Sequence, residues 1–156
     1  MHARDVARTA TPIGPVEVVG TDEAVERVAI AAAGPLSAGS AAAVRRAAEQ
    51  LREYFAGERR AFDIALVPLR TPRGPAMRDA IAAIGYGRTR SYGDVAAAIG
   101  SSARAIGQAC RANAYPIIVP CHRVLAAAGP DNYSAGSGLP TKEWLLAHER
   151  RHGERA

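Results

Sequence analysis

Apolar and polar positions alternate twice near the start of the chain, at Val16, Val18 and Val19 and again at Val25, Val28 and Ile30, with Thr21-Asp22-Glu23 between them. Alternation around a polar turn predicts two short strands of a small sheet. Residues 1–10 carry no such period and read as a loose arm. From Ser40 the spacing becomes helical. Val44, Ala47, Leu51, Tyr54 and Phe55 fall on one face, Arg45, Arg46, Glu49 and Arg52 on the other, and Gly57 ends the run. Phe62, Ile64, Leu66 and Val67 predict one more strand, stopped by Pro68.

The breakers Thr71-Pro72-Arg73-Gly74-Pro75 then divide the chain into a mixed α/β domain, 1–70, and a helical domain, 71–156. Three short helices are predicted after them. The first places Met77, Ala80, Ile81 and Ile84 on one face and ends at Gly85. The second starts at Ser91 as N-cap and runs through Val95, Ala98 and Ile99 to Gly100. The third starts near Ser101 or Ser102, buries Ile106, Ala109 and Cys110, and ends near Asn113. Two short helices joined through a glycine turn form a candidate helix-turn-helix with Arg104 and Arg111 on its polar side. Pro116-Ile117-Ile118-Val119-Pro120 is too short and too rich in flanking proline for a helix, so it is expected to be a buried extended segment that presents Cys121. Residues 129–138 form a loop, and a last helix turns Trp144, Leu145 and His148 inward.

Composition narrows the class. With 156 residues and 48% hydrophobic content the chain can build its own core without staples. Cys110 and Cys121 are the only cysteines, and no leader-like start is present, which predicts a reducing cytoplasm. The alanine-rich stretches are interrupted by Arg, Asp and Gly well before a membrane-spanning length, so no membrane is expected. Of the net charge of +5, most lies in residues 75–156, where ten Lys/Arg face six Asp/Glu. That half is the better partner for a polyanion.

One short motif carries chemistry. A cysteine attacks only as thiolate, and its ordinary pKa leaves a minority ionised at neutral pH unless a base or positive charge is near. In Pro120-Cys121-His122-Arg123-Val124 the adjacent candidate base is His122. Adjacency alone does not bring two side chains together, because neighbours in an extended segment point to opposite sides. A free cysteine is more often a small buried hydrophobe than a nucleophile. A cysteine set after a proline, followed by His and Arg, and preceded by a basic helix-turn-helix is not what a core position requires.

The stretch Ile117–Leu125 resembles the signature of the O6-alkylguanine-DNA alkyltransferases, also called methylated-DNA-protein-cysteine methyltransferases. The resemblance continues through Tyr86-Gly87-Arg88-Thr89-Arg90-Ser91-Tyr92, Ser102-Ala103-Arg104-Ala105-Ile106-Gly107, Arg111-Ala112-Asn113, Tyr133-Ser134 and Lys142-Glu143-Trp144-Leu145-Leu146-Ala147-His148-Glu149. It covers residues 72–150 in order. It implies an α+β chain: a small ribonuclease-H-like N-terminal domain, then a helical domain with a winged-helix-like helix-turn-helix.

The resemblance also implies roles. Cys121 is the alkyl acceptor, His122 draws its proton through a bridging water, Glu149 orients the imidazole, and Asn113 ties the segment before the cysteine to the helix-turn-helix. Tyr92 hydrogen-bonds the departing guanine. Arg104 fills the space left by a flipped base, which must leave the stack before a cysteine reaches it. Ser91, Tyr92, Ser102, Ala103, Arg104, Arg111 and Arg123 contact DNA, with the second helix of the motif in the minor groove. Pro116, the carbonyl of Val124, Tyr133 and the main chain of Ser134 form the substrate pocket. The implied partner is double-stranded DNA containing O6-alkylguanine, and the implied state is a monomer without cofactor or metal. Cys110 reads as core.

Two departures concern the pocket and the packing. The family's Tyr-Ser-Gly-Gly loop is Tyr133-Ser134-Ala135-Gly136-Ser137-Gly138 here, two residues longer, and Pro75-Ala76-Met77 and Gly85 replace bulkier or proline positions. The loop leaves the range of alkyl groups open. Alternatives are a relative that binds alkylated DNA without accepting the group, a winged-helix regulator, and a Cys-His-Glu hydrolase. The last would need an oxyanion hole beside the nucleophile.

Overall fold

The computed structural model describes residues 4–127 and 132–153. The chain is a mixed α/β protein whose contacts divide it into two compact units, 1–67 and 68–156. No helix among the described residues is long and apolar enough to cross a membrane.

The first unit is an antiparallel sheet covered by one helix. Strands β1 (Asp5–Thr9), β2 (Val16–Gly20) and β3 (Val25–Ile30) pair in sequence order, Ala7 opposite Val18 and Val18 opposite Val28. The predicted loose arm is therefore incorrect over 5–9. Only Ala7 of β1 is buried, so its own sequence shows no alternation, and β2 supplies the template. Every residue of β2 is buried. Helix α1 (Ala42–Phe55) packs Val44, Ala47, Leu51 and Tyr54 onto the sheet. Ser40 does not cap it with its side chain. The carboxylate of Asp5 instead accepts the N–H groups of Ser40 (2.5 Å) and Ala41 (2.7 Å), and that of Asp22 accepts from Ala42 (2.8 Å), which satisfies N–H groups a helix start leaves open. The strand expected over 62–67 is reduced to a single bridge, Val25 with Leu66. The buried Gln50 side chain takes both backbone groups of Asp63 (2.9 and 3.1 Å) that a longer ladder would have used.

The second unit is helical. Helices α2 (Gly74–Ala82), α3 (Tyr92–Ala98) and α4 (Ala103–Arg111) follow one another, and α3 and α4 begin under side-chain caps. Ser91 Oγ accepts from Asp94 N (3.0 Å) and Ser102 Oγ from Ala105 N (3.1 Å). Val95 and Ile106 fill the angle between α3 and α4.

The segment before Cys121 departs from expectation. Residues 114–119 form turns rather than an extended stretch: Val119 N donates to Tyr115 O (2.9 Å), and Ile117 sits at φ 76°. A β-branched residue in the left-handed region costs on the order of 1–3 kcal/mol and persists only where its surroundings fix it. Cys121–Arg123 is one turn of 3-10 helix, followed by β5 (Val124–Leu125), which pairs in parallel with β4 (Arg90–Ser91). That pairing ties the strand leaving the cysteine to the start of α3. Residues 129–131 of the predicted loop lie outside the described residues. Helix α5 (Leu139–Gly153) buries Thr141, Lys142, Leu145, Leu146, His148 and Glu149.

Candidate active site

Helix α5 delivers Glu149 to the 3-10 turn, where it is 1% exposed and receives four hydrogen bonds. His122 Nε2 lies 2.6 Å from Oε2, Arg123 donates through Nε (2.8 Å) and Nη2 (3.0 Å), and Gly87 donates its backbone N–H (3.2 Å). Gly87 stands at φ 74°, a conformation that a side chain would strain, so glycine is needed to aim that N–H. Arg123 also donates to the Ile84 carbonyl (2.7 Å). Burial opposes the ionised carboxyl of Glu149, but the hydrogen bonds and charges of His122 and Arg123 outweigh it and hold the group well below the usual carboxylate range. Burial likewise pushes His122 below its ordinary 6.5. A neutral imidazole that gives its Nε2 proton to Glu149 keeps a bare lone pair on Nδ1, and Nδ1 has no protein partner among the described residues. His122 is thus a base with its basic nitrogen open.

Cys121 is 4% exposed at the start of the turn. Asn113 Nδ2 donates to its Sγ (3.3 Å) and to Val119 O (2.9 Å), and Asn113 Oδ1 accepts from Tyr115 N (2.9 Å). One amide therefore pins the strained turn and touches the sulfur. Cys110 does not behave as core: it is half-buried rather than enclosed. The Cys110 hydrogen bond and then burial push the Cys121 thiol up, so ionisation of Cys121 requires a base at the moment of reaction.

A cavity of about 510 Å³ opens on Cys121. Seven of the expected site residues line it: Tyr92, Ala103, Arg104, Arg111, Cys121, Tyr133 and Ser134, joined by Gly107, Cys110 and Asn132. Arg104 and Arg111 are exposed on its rim. Ser91 and Ser102 cap their helices beside it. His122, Glu149 and Asn113 stand behind the wall. Neither Pro116 nor Val124 lines the cavity, although both are buried. The DNA contact expected of Arg123 is incorrect. Its guanidinium is buried in the bidentate pair with Glu149 and presents no face to a phosphate.

Lys142 is a part of the site that the sequence did not reveal. It is fully buried, and its Nζ donates to the carbonyls of Val124 (2.8 Å) and Asn132 (2.8 Å), so it fastens the strand after the cysteine to the loop that carries Tyr133 and Ser134. The signal was its place at the head of the Lys142–Glu149 motif, and no role was attached to the lysine. The Tyr133 hydroxyl is buried without a hydrogen-bond partner among the described residues, and burial pushes its pKa up.

Gly107 lies mid-helix in α4, where a Cβ would meet no atom within 4 Å. Packing does not demand a glycine there, so the open space serves whatever approaches α4. Gly107→Ala is expected to stabilise the unit by about 0.5–1 kcal/mol in thermal unfolding and to weaken binding in the cavity.

A family model described as the DNA binding domain of 6-O-methylguanine DNA methyltransferase matches residues 75–151. A constitutive methylated-DNA–protein-cysteine methyltransferase of Bacillus subtilis is 46% identical over 106 residues, 67% of this chain and 64% of that protein. A methylated-DNA–protein-cysteine methyltransferase of Methanosarcina acetivorans is 46% identical over 107 residues, 67% and 68% of the two chains. The match thus spans about two thirds of the length of these relatives. A crystal structure of Mycobacterium tuberculosis OGT in complex with DNA superposes with a TM-score of 0.81 at 35% identity, covering 94% of this chain and 93% of that one.

Proposed function

Because the chain belongs to the family of methylated-DNA–protein-cysteine methyltransferases, we propose that it repairs duplex DNA by moving the alkyl group of O6-alkylguanine irreversibly onto Cys121. The observation that carries this reading is the setting of one thiol: a buried base network behind Cys121 and an open, arginine-rimmed cavity in front of it.

The residues divide the work. His122 Nδ1 receives the Cys121 proton through a water, and Glu149 holds the imidazole in the tautomer that keeps Nδ1 free. The sulfur bonds to the alkyl carbon as the carbon–O6 bond breaks. Tyr92, on the cavity wall, donates a hydrogen bond to the departing guanine, and the main chain of Ser134 meets the O6 position. Asn113 holds the sulfur. A thioether gives no easy route back to thiol, so one molecule repairs one lesion.

The approach to DNA follows from α4. Its exposed Ala103, Arg104 and Arg111, with the capping Ser91 and Ser102, form the face laid in the minor groove, and Arg104 enters the stack in place of the flipped guanine. Membership supports reading the 1–67 unit as a ribonuclease-H-like domain and α3–α4 as a winged-helix-like helix-turn-helix. The protein acts as a cytoplasmic monomer without cofactor.

The deciding experiment mixes the protein with a duplex carrying radiolabelled O6-methylguanine. One label per protein, fixed to the chain, is expected; repeated turnover or tight binding without transfer overturns the reading. Arg104→Ala is expected to lose about tenfold to a hundredfold in rate on duplex, since flipping costs a few kcal/mol, and little on free O6-benzylguanine. Equal losses on both would remove the intercalating role.

A further inference from the structure

We infer that Cys110 and Cys121 form a dithiol that a hydroperoxide closes to a disulfide within the cavity and that thiol reductants reopen. The inference deepens the reading of Cys121 as acceptor and rests on it for its consequence, because a disulfide would take the acceptor out of service without consuming it.

Both cysteines line the same cavity. One residue fixes both positions. The backbone N–H of Asn113 donates to the Cys110 carbonyl (3.3 Å), and its side chain donates to Cys121 Sγ (3.3 Å). A core role would not put Cys110 on a cavity wall. Helix packing does not need it either, since Ile106 is the buried residue of α4.

The two thiols are unequal in the way a disulfide-forming pair requires. Cys110 is half-buried on the cavity wall, whereas Cys121 is only 4% exposed, so Cys110 is the more accessible of the two. The thiolate with access to the cavity meets the oxidant first. Its sulfur attacks the peroxide, forming an S–O bond as the O–O bond breaks, and hydroxide leaves. The Cys121 sulfur then attacks the Cys110 sulfenic acid. The S–S bond forms, the S–O bond breaks, and the departing hydroxide takes the Cys121 proton as water. Two thiols and one hydrogen peroxide give one disulfide and two waters. A neighbouring thiol thereby spares Cys121 the irreversible sulfinic state.

The test treats the whole protein with hydrogen peroxide and reads intact mass, titratable thiols and alkyl transfer together. Thiols are expected to fall from two to none, the mass to fall by two hydrogens, transfer to be lost, and dithiothreitol to restore all three. In Cys110→Ser the mass is expected to rise by added oxygen instead. A parent protein that gains oxygen rather than losing hydrogens, or that forms disulfide-linked dimers, overturns the pair. If the mass change occurs but the reduced protein transfers no alkyl group, the disulfide stands and the reading of Cys121 as acceptor falls.

Discussion

In Cys121→Ala, label transfer from an O6-methylguanine duplex is expected to vanish while duplex binding persists. The substitution removes one small buried group, a loss of about 1 kcal/mol, and leaves Asn113 bonded to Val119 and Tyr115, so the turn keeps its shape. The exposed arginines on the cavity rim, to which the proposal assigns the attraction to phosphate, are untouched. Binding by gel shift and transfer by label counting therefore separate cleanly. Cys121→Ser should be equally inactive, because a hydroxyl is a weak nucleophile without stronger activation. The second thiol makes the result decisive in the other direction. Label retained in Cys121→Ala and mapped to Cys110 would move the acceptor to α4 and reverse the assignment of the two cysteines.

The elements best legible in the sequence were those whose signals are local. Ser91 and Ser102 announce the starts of α3 and α4 because a cap is a bond between near neighbours, and the apolar stripe of α1 repeats at helical spacing. What stayed hidden depends on bonds that residue pattern does not announce, whether their partners are far or near. β1 has one buried side chain and takes its conformation from β2. Ile117-Ile118-Val119 has the composition of a strand, yet bonds made by Asn113 and Tyr115 bend it into a turn that a β-branched residue would not choose alone.

At the site, burial was not legible in the sequence: Arg and Lys are rarely buried, yet Arg123 and Lys142 both are, and the DNA contact that the resemblance implied for Arg123 is not available. Arg123 is paired with a carboxylate 26 residues away, and Lys142 donates hydrogen bonds to two backbone carbonyls. The resemblance supplied the identity of the Glu149 position; only the fold shows that it holds Arg123 as well as His122.

That double attachment makes Glu149→Gln the more informative substitution. An amide keeps the shape but removes the negative charge, leaving the Arg123 guanidinium buried without a counter-ion. Breaking a buried pair from one side costs about 3–5 kcal/mol, readable by urea unfolding through Trp144, the sole tryptophan, which stacks on His148 in the same helix. Transfer by the folded fraction should slow by about a hundredfold at neutral pH, the low end of what a positioned base supplies, because His122 loses the carboxylate that fixes its tautomer. DNA affinity should hold, since Glu149 has no surface. The acid limb of stability gives a third readout. The Glu149 pKa is depressed in the folded state, so its contribution is complete above the ordinary 4.5 and is lost as pH falls further. His122 is also depressed, so below 6.5 the unfolded chain binds a proton that the folded one refuses, and stability declines there too. Glu149→Gln should keep the decline that begins at 6.5 and show a smaller one below 4.5, where Asp5, also held low by its hydrogen bonds, still contributes. Unchanged transfer with lowered stability would reduce Glu149 to a partner of Arg123 and leave His122 without its orienting group.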